Sequence, residues 1–195
     1  DPNLSVKFSP FFEREWKHGL RTASLAWALC NHDRILVELK RLAFIGGLLH
    51  DSGKLLLACS YPEIYQPLLT KFDQAREADT SDDFPQSQFE KEALGICHCE
   101  VASLLSGHME FLDELEAIVD FHHSFSVLKS RDPHLFILAT VINIADSVAY
   151  LMETSLNFDL KDLSKILKPH QGVFPLDASE LQSQIVLLRG KSLLL

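Results

Sequence analysis

The adjacent pair His50–Asp51 is the most informative feature of the sequence. It closes an apolar stretch that reads as a helix, and Lys54 follows three residues after the aspartate. An unpaired polar group in an apolar interior costs about 1–3 kcal/mol, and an isolated charge costs more. Further histidines and one aspartate lie in apolar helical sequence elsewhere, and a metal centre explains them together. The candidate ligands are His18, His50, Asp51, His98, His122, His123 and Asp146.

Each candidate also has an ordinary structural explanation. The pair His50–Asp51 can be a helix-terminal histidine, which the helix dipole favours, beside a chance aspartate. The pair His122–His123 can be a polar helix end, and His98 can be a satisfied core histidine. His18 has the weakest local signal, whereas Asp146 is the hardest to dismiss because an aspartate in so apolar a helix is rarely unpaired. Since all these explanations would have to hold at once, the metal hypothesis is favoured.

The chemistry of such a centre follows from its ligand types. Mixed imidazole and carboxylate ligation suits one or two divalent transition ions, iron, manganese or zinc, better than calcium, and ligand type does not decide among the three. Our prediction favours iron or manganese, with zinc as the alternative. Two such ions with two carboxylates and a bridging hydroxide leave the site about one unit positive, which attracts phosphate. Asp51 and Lys54 are the catalytic candidates: Asp51 would bridge the ions and Lys54 would hold a phosphate oxygen. A solvated surface lysine is the equal alternative for Lys54.

The elements that must position these residues are predicted to be helical throughout. Apolar residues recur at steps of three and four. Gly53 is expected to end the helix that carries His50, and the acidic stretch 72–89 is expected to form a mobile loop. Asp177 and Glu180 resemble a capping box. The predicted helices are 12–30, 37–50, 62–71, 88–106, 111–123, 134–152, 160–167 and 178–189. The sequence thus predicts an all-α, single-domain helical bundle, with the core in 1–152 and a C-terminal helical extension in 153–195.

Composition limits the possible partners. The chain has 195 residues, a net charge of −9 and no basic cluster, which argues against nucleic acid. No apolar run is expected to approach the roughly 20 residues of a membrane span, and there is no signal peptide, so we predict no membrane. The four cysteines favour a reducing cytoplasm, because Cys97 and Cys99 lie too close for an easy disulfide in a helix and a chain of this size does not require disulfides. The chain opens without methionine, which suggests a fragment of a longer parent.

The remaining histidines and cysteines carry less signal. Cys97 and Cys99 flank His98, but residues two apart point to opposite sides of a helix, so a Cys-His-Cys zinc site is disfavoured. Arg21 is expected to pair with an acidic neighbour rather than to contact an anionic ligand. The histidines expected to be exposed are His32, His108, His134 and His170.

In combination, these motifs resemble the HD superfamily of metal-dependent phosphohydrolases and, within it, the HDOD domains, which are HD-related output domains of bacterial signalling proteins. The matching stretches are 16–18, 46–54, 92–101, 122–123 and 144–146. The resemblance implies an HD-type helical bundle, a binuclear metal site, and other signalling proteins or domains as partners, with a small phosphorylated ligand as a further partner.

The sequence departs from relatives in two places. The HD-GYP branch, which hydrolyses cyclic di-GMP, carries Gly-Tyr-Pro after the double histidine, whereas this chain has Ser-Phe-Ser-Val at 124–127. The Trp-Gly-Leu-Pro that often follows the His98-type helix is replaced by residues 107–110. A signalling output domain with a retained metal site is therefore favoured over a metal-dependent phosphohydrolase acting on a nucleotide or cyclic dinucleotide. A structural remnant without metal is disfavoured because all seven candidate ligands are present.

Overall fold

The computed structural model describes residues 2–31, 34–78, 86–108, 112–155, 157–174 and 176–190, and over these residues it is helical and contains no strand. The all-α prediction is therefore confirmed. The α-helices are α1 (Pro2–Leu29), α2 (Arg34–Leu49), α3 (Ser52–Ser60), α4 (Pro62–Ala78), α5 (Gln86–Leu94), α6 (His98–His108), α7 (Asp113–Phe121), α8 (Pro133–Thr154), α9 (Leu160–Leu167) and α10 (Ala178–Gly190). Short 3-10 helices span Phe125–Ser130 and Lys168–His170.

Helix α8 is the centre of the main core. Asp132 caps it by accepting from the backbone N–H groups of His134 and Leu135, and Pro133 occupies the first turn, where its missing N–H is not needed. The buried face of α8 packs against α1 and α2 on one side and against α9 on another, and α10 packs on α1 and α9. Asp146 therefore lies beside Ile144 and Ala145, which belong to the largest apolar cluster among the described residues, and 17% of its side chain is exposed.

A second cluster lies beneath helices α3 to α6. Its centre is Tyr65, which is fully buried, with Phe11 at an edge-to-face ring distance of 6.2 Å. Helix α3 packs on α6, and α6 packs on α7. This layer carries the α2–α3 turn and the start of α6, so the polar residues at those points are set between the two clusters.

Two glycines allow the helices to approach this closely. A Cβ added at Gly47 would lie 2.9 Å from the backbone of Ala23, so this glycine lets α2 contact α1 directly. A Cβ at Gly53 would lie 1.8 Å from the carbonyl oxygen of His98, so α3 can cross α6 only with glycine there. The prediction that Gly53 ends a helix is wrong: α2 ends at Leu49, the turn is His50–Asp51, and Gly53 lies within α3.

Several predicted boundaries also differ. The stretch 72–89 is not all loop, because α4 continues to Ala78 and α5 begins at Gln86; only 79–85 lie outside the described residues. The rings of Phe72 in α4 and Phe89 in α5 pack with their centroids 6.0 Å apart, and this contact holds the two helices together on either side of residues 79–85. The predicted helix 88–106 is broken by a turn in which Gly95 has a φ of 75°. The predicted start of the 111–123 helix lies partly outside the described residues, and α7 begins at Asp113.

The C-terminal part follows the predictions closely. Helix α9 has the predicted bounds, and the Asp177 carboxylate accepts from the N–H of Glu180 while the Glu180 carboxylate accepts from the N–H of Asp177, which is the predicted capping box. His170 was expected to be exposed, and this is wrong. The 3-10 helix folds it against Phe125, where only 3% of its surface remains accessible. His108 and His134 are exposed as expected, and His32 lies outside the described residues.

Among the described residues, two stretches have the length and apolar composition of a membrane span, Leu39–Ser60 and Pro133–Thr154. The expectation that no stretch approaches this length is therefore wrong. The apolarity of Pro133–Thr154 has a structural reason, because 56% of its most apolar window is buried inside the protein as the core of α8. Leu39–Ser60 contains the turn at His50–Asp51. A buried core helix passes the same test, so length and composition alone are weak evidence of a membrane.

Candidate metal centre

Five separate pieces of the chain bring the seven predicted ligands to one place. His18 comes from the middle of α1, His98 is the first residue of α6, and Asp146 lies in the middle of α8. The turn between α2 and α3 supplies the pair His50–Asp51, and the end of α7 supplies His122–His123. Adjacent residues on a continuous helix diverge by about 100°. Because the chain turns at His50–Asp51, both side chains of that pair face the same site.

One group of side chains combines imidazoles with a carboxylate; we call His18, His50 and Asp146 the carboxylate half. The His18 Nε2 lies 3.0 Å from Asp146 Oδ1, and the His50 Nε2 lies 3.7 Å from the same oxygen. Asp51 contacts this half through its Oδ2, which is 3.3 Å from His50 Nε2 and 3.8 Å from His18 Nε2. The candidate ligand atoms of the three residues lie within 4.8 Å of one another, so they can hold a metal ion.

The second group contains no carboxylate of its own; we call His98, Cys99, His122 and His123 the imidazole half. Their candidate ligand atoms also lie within 4.8 Å of one another. The His98 Nε2 and His123 Nε2 are 3.3 Å apart. Asp51 reaches this half through its other oxygen, Oδ1, which is 3.3 Å from His98 Nε2 and 3.7 Å from His122 Nε2. The two oxygens of Asp51 therefore face different halves.

The buried polar atoms at the centre fit a metal ion. His50 Nε2, Asp51 Oδ1 and His122 Nε2 are buried without a hydrogen bond to any described residue. Leaving such atoms unsatisfied costs about 1–3 kcal/mol each. They belong to residues whose candidate ligand atoms lie within 4.8 Å of one another, and a cation among them would satisfy all three at once. The donor types, imidazole nitrogen and carboxylate oxygen, suit a divalent transition ion.

Outer acceptors fix the orientation of the rings. The Nδ1–H of His50 donates to the carbonyl of Gly47 at 2.8 Å, and that of His122 donates to the carbonyl of Val119 at 2.9 Å. His98 donates from Nδ1 to the Glu90 carboxylate at 2.6 Å. In each case Nε2 is left to face the centre, which is the arrangement of metal-ligating histidines.

Two outer carboxylates were missed by the sequence analysis. Glu90 is fully buried and also accepts from the hydroxyl of Tyr65 at 2.7 Å. Glu153 accepts from His18 Nδ1 at 3.1 Å and from Arg21 Nη1 at 2.9 Å, so Arg21 pairs with an acidic residue as expected. Glu153 lies seven residues after Asp146 on the same face of α8, a spacing that is readable in the sequence. Glu90 gave no comparable signal, because only the packing of α5 on α6 brings it to His98.

Electrostatics differ between the halves. Burial lowers the pKa of His18, but its hydrogen bonds to Asp146 and Glu153 outweigh burial and raise the pKa to about 9. The pKa of His50 is raised to about 10 because the charge of Asp51 outweighs burial. Burial dominates at His122 and lowers its pKa. At neutral pH, protons compensate the carboxylate half, whereas His122 is neutral and has an available lone pair.

Lys54 lies against the centre. Its Nζ donates to Asp51 Oδ2 at 2.5 Å and lies 4.0 Å from Glu15, and its side chain is only 13% exposed. The charge of Asp51 outweighs burial and raises the pKa of Lys54, so it stays cationic. The alternative of a solvated surface lysine is therefore wrong.

The fold and the site define a class of protein: an all-helical domain with an HD-type cluster of histidines and aspartates. The HDOD domain model matches residues 8–125, and the chain belongs to the HDOD family. This match includes six of the seven candidate ligands; Asp146 lies beyond it. Among curated proteins, none matches the chain.

Two solved structures share the fold. One, from Shewanella amazonensis SB2B, is provisionally named a phosphohydrolase; it has a TM-score of 0.66 and 22% identity and covers 91% of this chain. The other is an HDOD domain protein of unknown function from Geobacter sulfurreducens, with a TM-score of 0.66, 20% identity and 90% coverage. This chain spans 60% of the length of each.

Proposed function

We propose that this chain is an HDOD output domain of a bacterial signalling protein, and that it binds two divalent ions at the candidate metal centre. The observation that carries the proposal is the position of Asp51, whose two oxygens face two separate groups of ligand atoms. A bridging carboxylate of this kind suits a two-metal site. His18, His50 and Asp146 would hold one ion, and His98, His122 and His123 the other, with iron or manganese favoured and zinc as the alternative.

The signalling role rests on membership of the family and on the surface. Large apolar side chains are exposed on several helices, including Trp16 at 60% on α1 and Ile64 at 52% on α4. Such side chains are available to other signalling proteins or domains, which we propose as the partners in the cytoplasm. A small phosphorylated ligand at the metal centre is a further proposed partner.

Phosphoester hydrolysis is the second candidate function, and Lys54 specifically favours it. A buried cation beside a candidate bridging carboxylate is placed to hold a phosphoryl oxygen while Asp51 orients the centre. Bound divalent ions supply Lewis-acid stabilisation and a nucleophile from water. His50, His98 and His122 are fully buried, whereas His123 is exposed, so the centre is sheltered on one side and open to a ligand on the other.

Metal content per chain tests the first proposal. Protein purified anaerobically and offered Fe(II), Mn(II) or Zn(II) is expected to hold close to two ions, measured by elemental analysis after gel filtration. Asp51→Asn should lose at least one ion, whereas the matched variant His108→Ala, altered at an exposed histidine, should keep both. One ion or none in the unaltered chain would contradict the binuclear proposal.

A hydrolysis screen then tests the second. The loaded protein is offered nucleotides and cyclic dinucleotides with Fe(II) or Mn(II). Turnover that Asp51→Asn abolishes and His108→Ala leaves intact would establish a phosphohydrolase. A fully loaded protein that is silent across the panel supports the output-domain function alone.

A further inference from the structure

We propose that Cys99 is a ligand of the imidazole half, so that the two halves of the centre differ in donor chemistry and the imidazole half selects a thiophilic ion such as Zn(II). The inference rests on the proposed metal binding and, for the imidazole half alone, replaces the preference for iron or manganese with one for zinc. It adds a sulfur donor to a site otherwise composed of imidazole and carboxylate. The Cys99 sulfur belongs to a group, with His98, His122 and His123, in which all ligand atoms lie within 4.8 Å of one another.

Burial supports Cys99 as a donor. Only 6% of its surface is accessible, and it lies in the first turn of α6, immediately after His98. A second observation comes from His122, which is fully buried and whose Nε2 has no hydrogen bond among the described residues. Its ring is held with that atom toward the group, because Nδ1 donates to Val119. An ion between this nitrogen and the Cys99 sulfur would satisfy the imidazole and be shielded from solvent.

The start of α6 explains why the sequence did not indicate this. From the sequence, Cys97 and Cys99 belong to one predicted helix, in which residues two apart point to opposite sides, but α6 begins only at His98. Cys97 precedes α6 and is not a member of the group. Cys97 is therefore not a ligand in this proposal and serves as the neighbouring control.

The consequence is an asymmetric centre. The carboxylate half offers nitrogen and oxygen donors, which suit Mn(II) or Fe(II). The imidazole half offers three nitrogens, a sulfur and one oxygen of Asp51, a donor set that Zn(II) and Co(II) accept and Mn(II) does not favour. In a titration, Zn(II) is then expected to fill the imidazole half first, whereas Mn(II) is expected to fill the carboxylate half first.

Cobalt substitution tests this without relying on activity. The full chain is titrated anaerobically with Co(II), and its visible ligand-field bands report binding while the near-ultraviolet thiolate-to-Co(II) charge-transfer band reports a sulfur ligand. We expect that charge-transfer band in the unaltered chain and its loss in Cys99→Ser, while the ligand-field bands persist. Cys97→Ser and Cys59→Ser, altered at the neighbouring and at an exposed cysteine, should retain it. Cys99→Ser should also weaken Zn(II) binding about tenfold or more relative to Mn(II).

The outcomes separate the two proposals. Co(II) binding to the unaltered chain without the charge-transfer band would overturn the sulfur ligand and leave the proposed metal centre intact. No Co(II), Zn(II) or Mn(II) binding at all would overturn both. If Cys99→Ser fails to fold, as judged by far-ultraviolet circular dichroism, the band in the unaltered chain and its retention in Cys97→Ser and Cys59→Ser still decide the matter.

Discussion

The two halves of the centre satisfy their side chains in different ways. In the carboxylate half, His18 already has two protein partners, Asp146 and Glu153, and Arg21 also pairs with Glu153. In this half His50 Nε2 lacks a hydrogen bond among the described residues. In the imidazole half, His98 and His123 face each other, and His122 Nε2 has no hydrogen bond among the described residues. The first half is an ion-pair network that can help to hold α1 against α8 without a metal. In the second half, His98 is paired with Glu90, and a bound cation would give His122 Nε2 a partner.

The same set of residues can therefore contribute both to the stability of the fold and to metal binding, and the carboxylate half contributes more to stability without a metal. Buried ion pairs lose little when a metal is absent, because protons on the histidines compensate the carboxylates. His122 has no such substitute, because burial lowers its pKa and leaves its imidazole neutral. Metal removal should therefore weaken the contacts of α6 and α7 more than those of α1 and α8.

The largest effect is expected from a change that separates the halves physically. Gly53→Ala would place a Cβ 1.8 Å from the carbonyl oxygen of His98, forcing α3 and α6 apart. Overpacking of this kind costs about 3 kcal/mol or more when the obstacle is backbone, and it would move His98 away from Asp51. Urea denaturation should show this loss, and metal content should fall in the imidazole half.

Gly107→Ala provides the matched control for that prediction. Gly107 lies in α6, the helix that Gly53 of α3 contacts, but an added Cβ at Gly107 meets nothing within 4 Å. We expect stability to be unchanged or raised by a few tenths of a kcal/mol to about 1 kcal/mol, since alanine favours a helix. Equal stabilities for the two variants would show that the crossing of α3 and α6 is not as close as described.

Metal removal is expected to affect variants of the two halves differently. An ion at about 100 times its dissociation constant stabilises the folded state by about 2.7 kcal/mol. His122→Ala should abolish much of that gain in the loaded protein. In stripped protein the same variant should lower the free energy of unfolding less, because His122 Nε2 has no hydrogen bond to lose. Asp146→Ala should cost stability in both states, since its contact with His18 exists without metal. Thermal denaturation with and without a chelator measures both. Identical losses for both variants in both states would contradict the contrast.

Substitution of either outer carboxylate is expected to have a smaller effect, a loss of metal affinity in one half of the centre. Glu90→Gln should lower affinity at the imidazole half, and Glu153→Gln at the carboxylate half, by about 10–100-fold each, because each orients one histidine. Calorimetric titration with Zn(II) and with Mn(II) distinguishes the two. Equal effects of both variants on both ions would mean that the halves do not bind independently.

Much of this site was predictable from the sequence because its residues carry their own context. Asp146 stands out in an apolar helix, and paired residues such as His50–Asp51 mark helix ends. The bounds of α9 were predicted correctly for a similar reason, since its helix-start and helix-stop signals are local. What depends on contacts between distant segments was not predictable: Glu90 under His98, Cys99 beside His122, and Gly53 against α6. Helical periodicity places a residue on a face but does not say which neighbouring helix that face meets.

The smallest expected effect is on the pH dependence of stability and comes from His170. This residue lies outside both halves, so it reports the effect of burial on a histidine pKa apart from the metal centre. Burial lowers the pKa of His170 from its ordinary value of 6.5 to about 4, and Nδ1 has no hydrogen bond among the described residues. Between these values the unfolded chain binds a proton that the folded protein does not, so stability falls as the pH drops from about 6.5 to about 4 and then levels off. Partial solvent screening reduces the loss to about 1–2 kcal/mol.

His170→Phe tests this, because phenylalanine preserves the contact with the ring of Phe125, 4.9 Å away, but has no proton to bind. Urea denaturation of both proteins across this pH range, with saturating Zn(II), keeps the ligand histidines from contributing a difference. The variant should lose less stability on acidification, so the gap between the curves should narrow or reverse toward pH 4. Parallel curves would mean that His170 is protonated in the folded protein as easily as in the unfolded chain. The pH dependence would then belong to the metal centre, and the contrast between its halves would have to explain all of it.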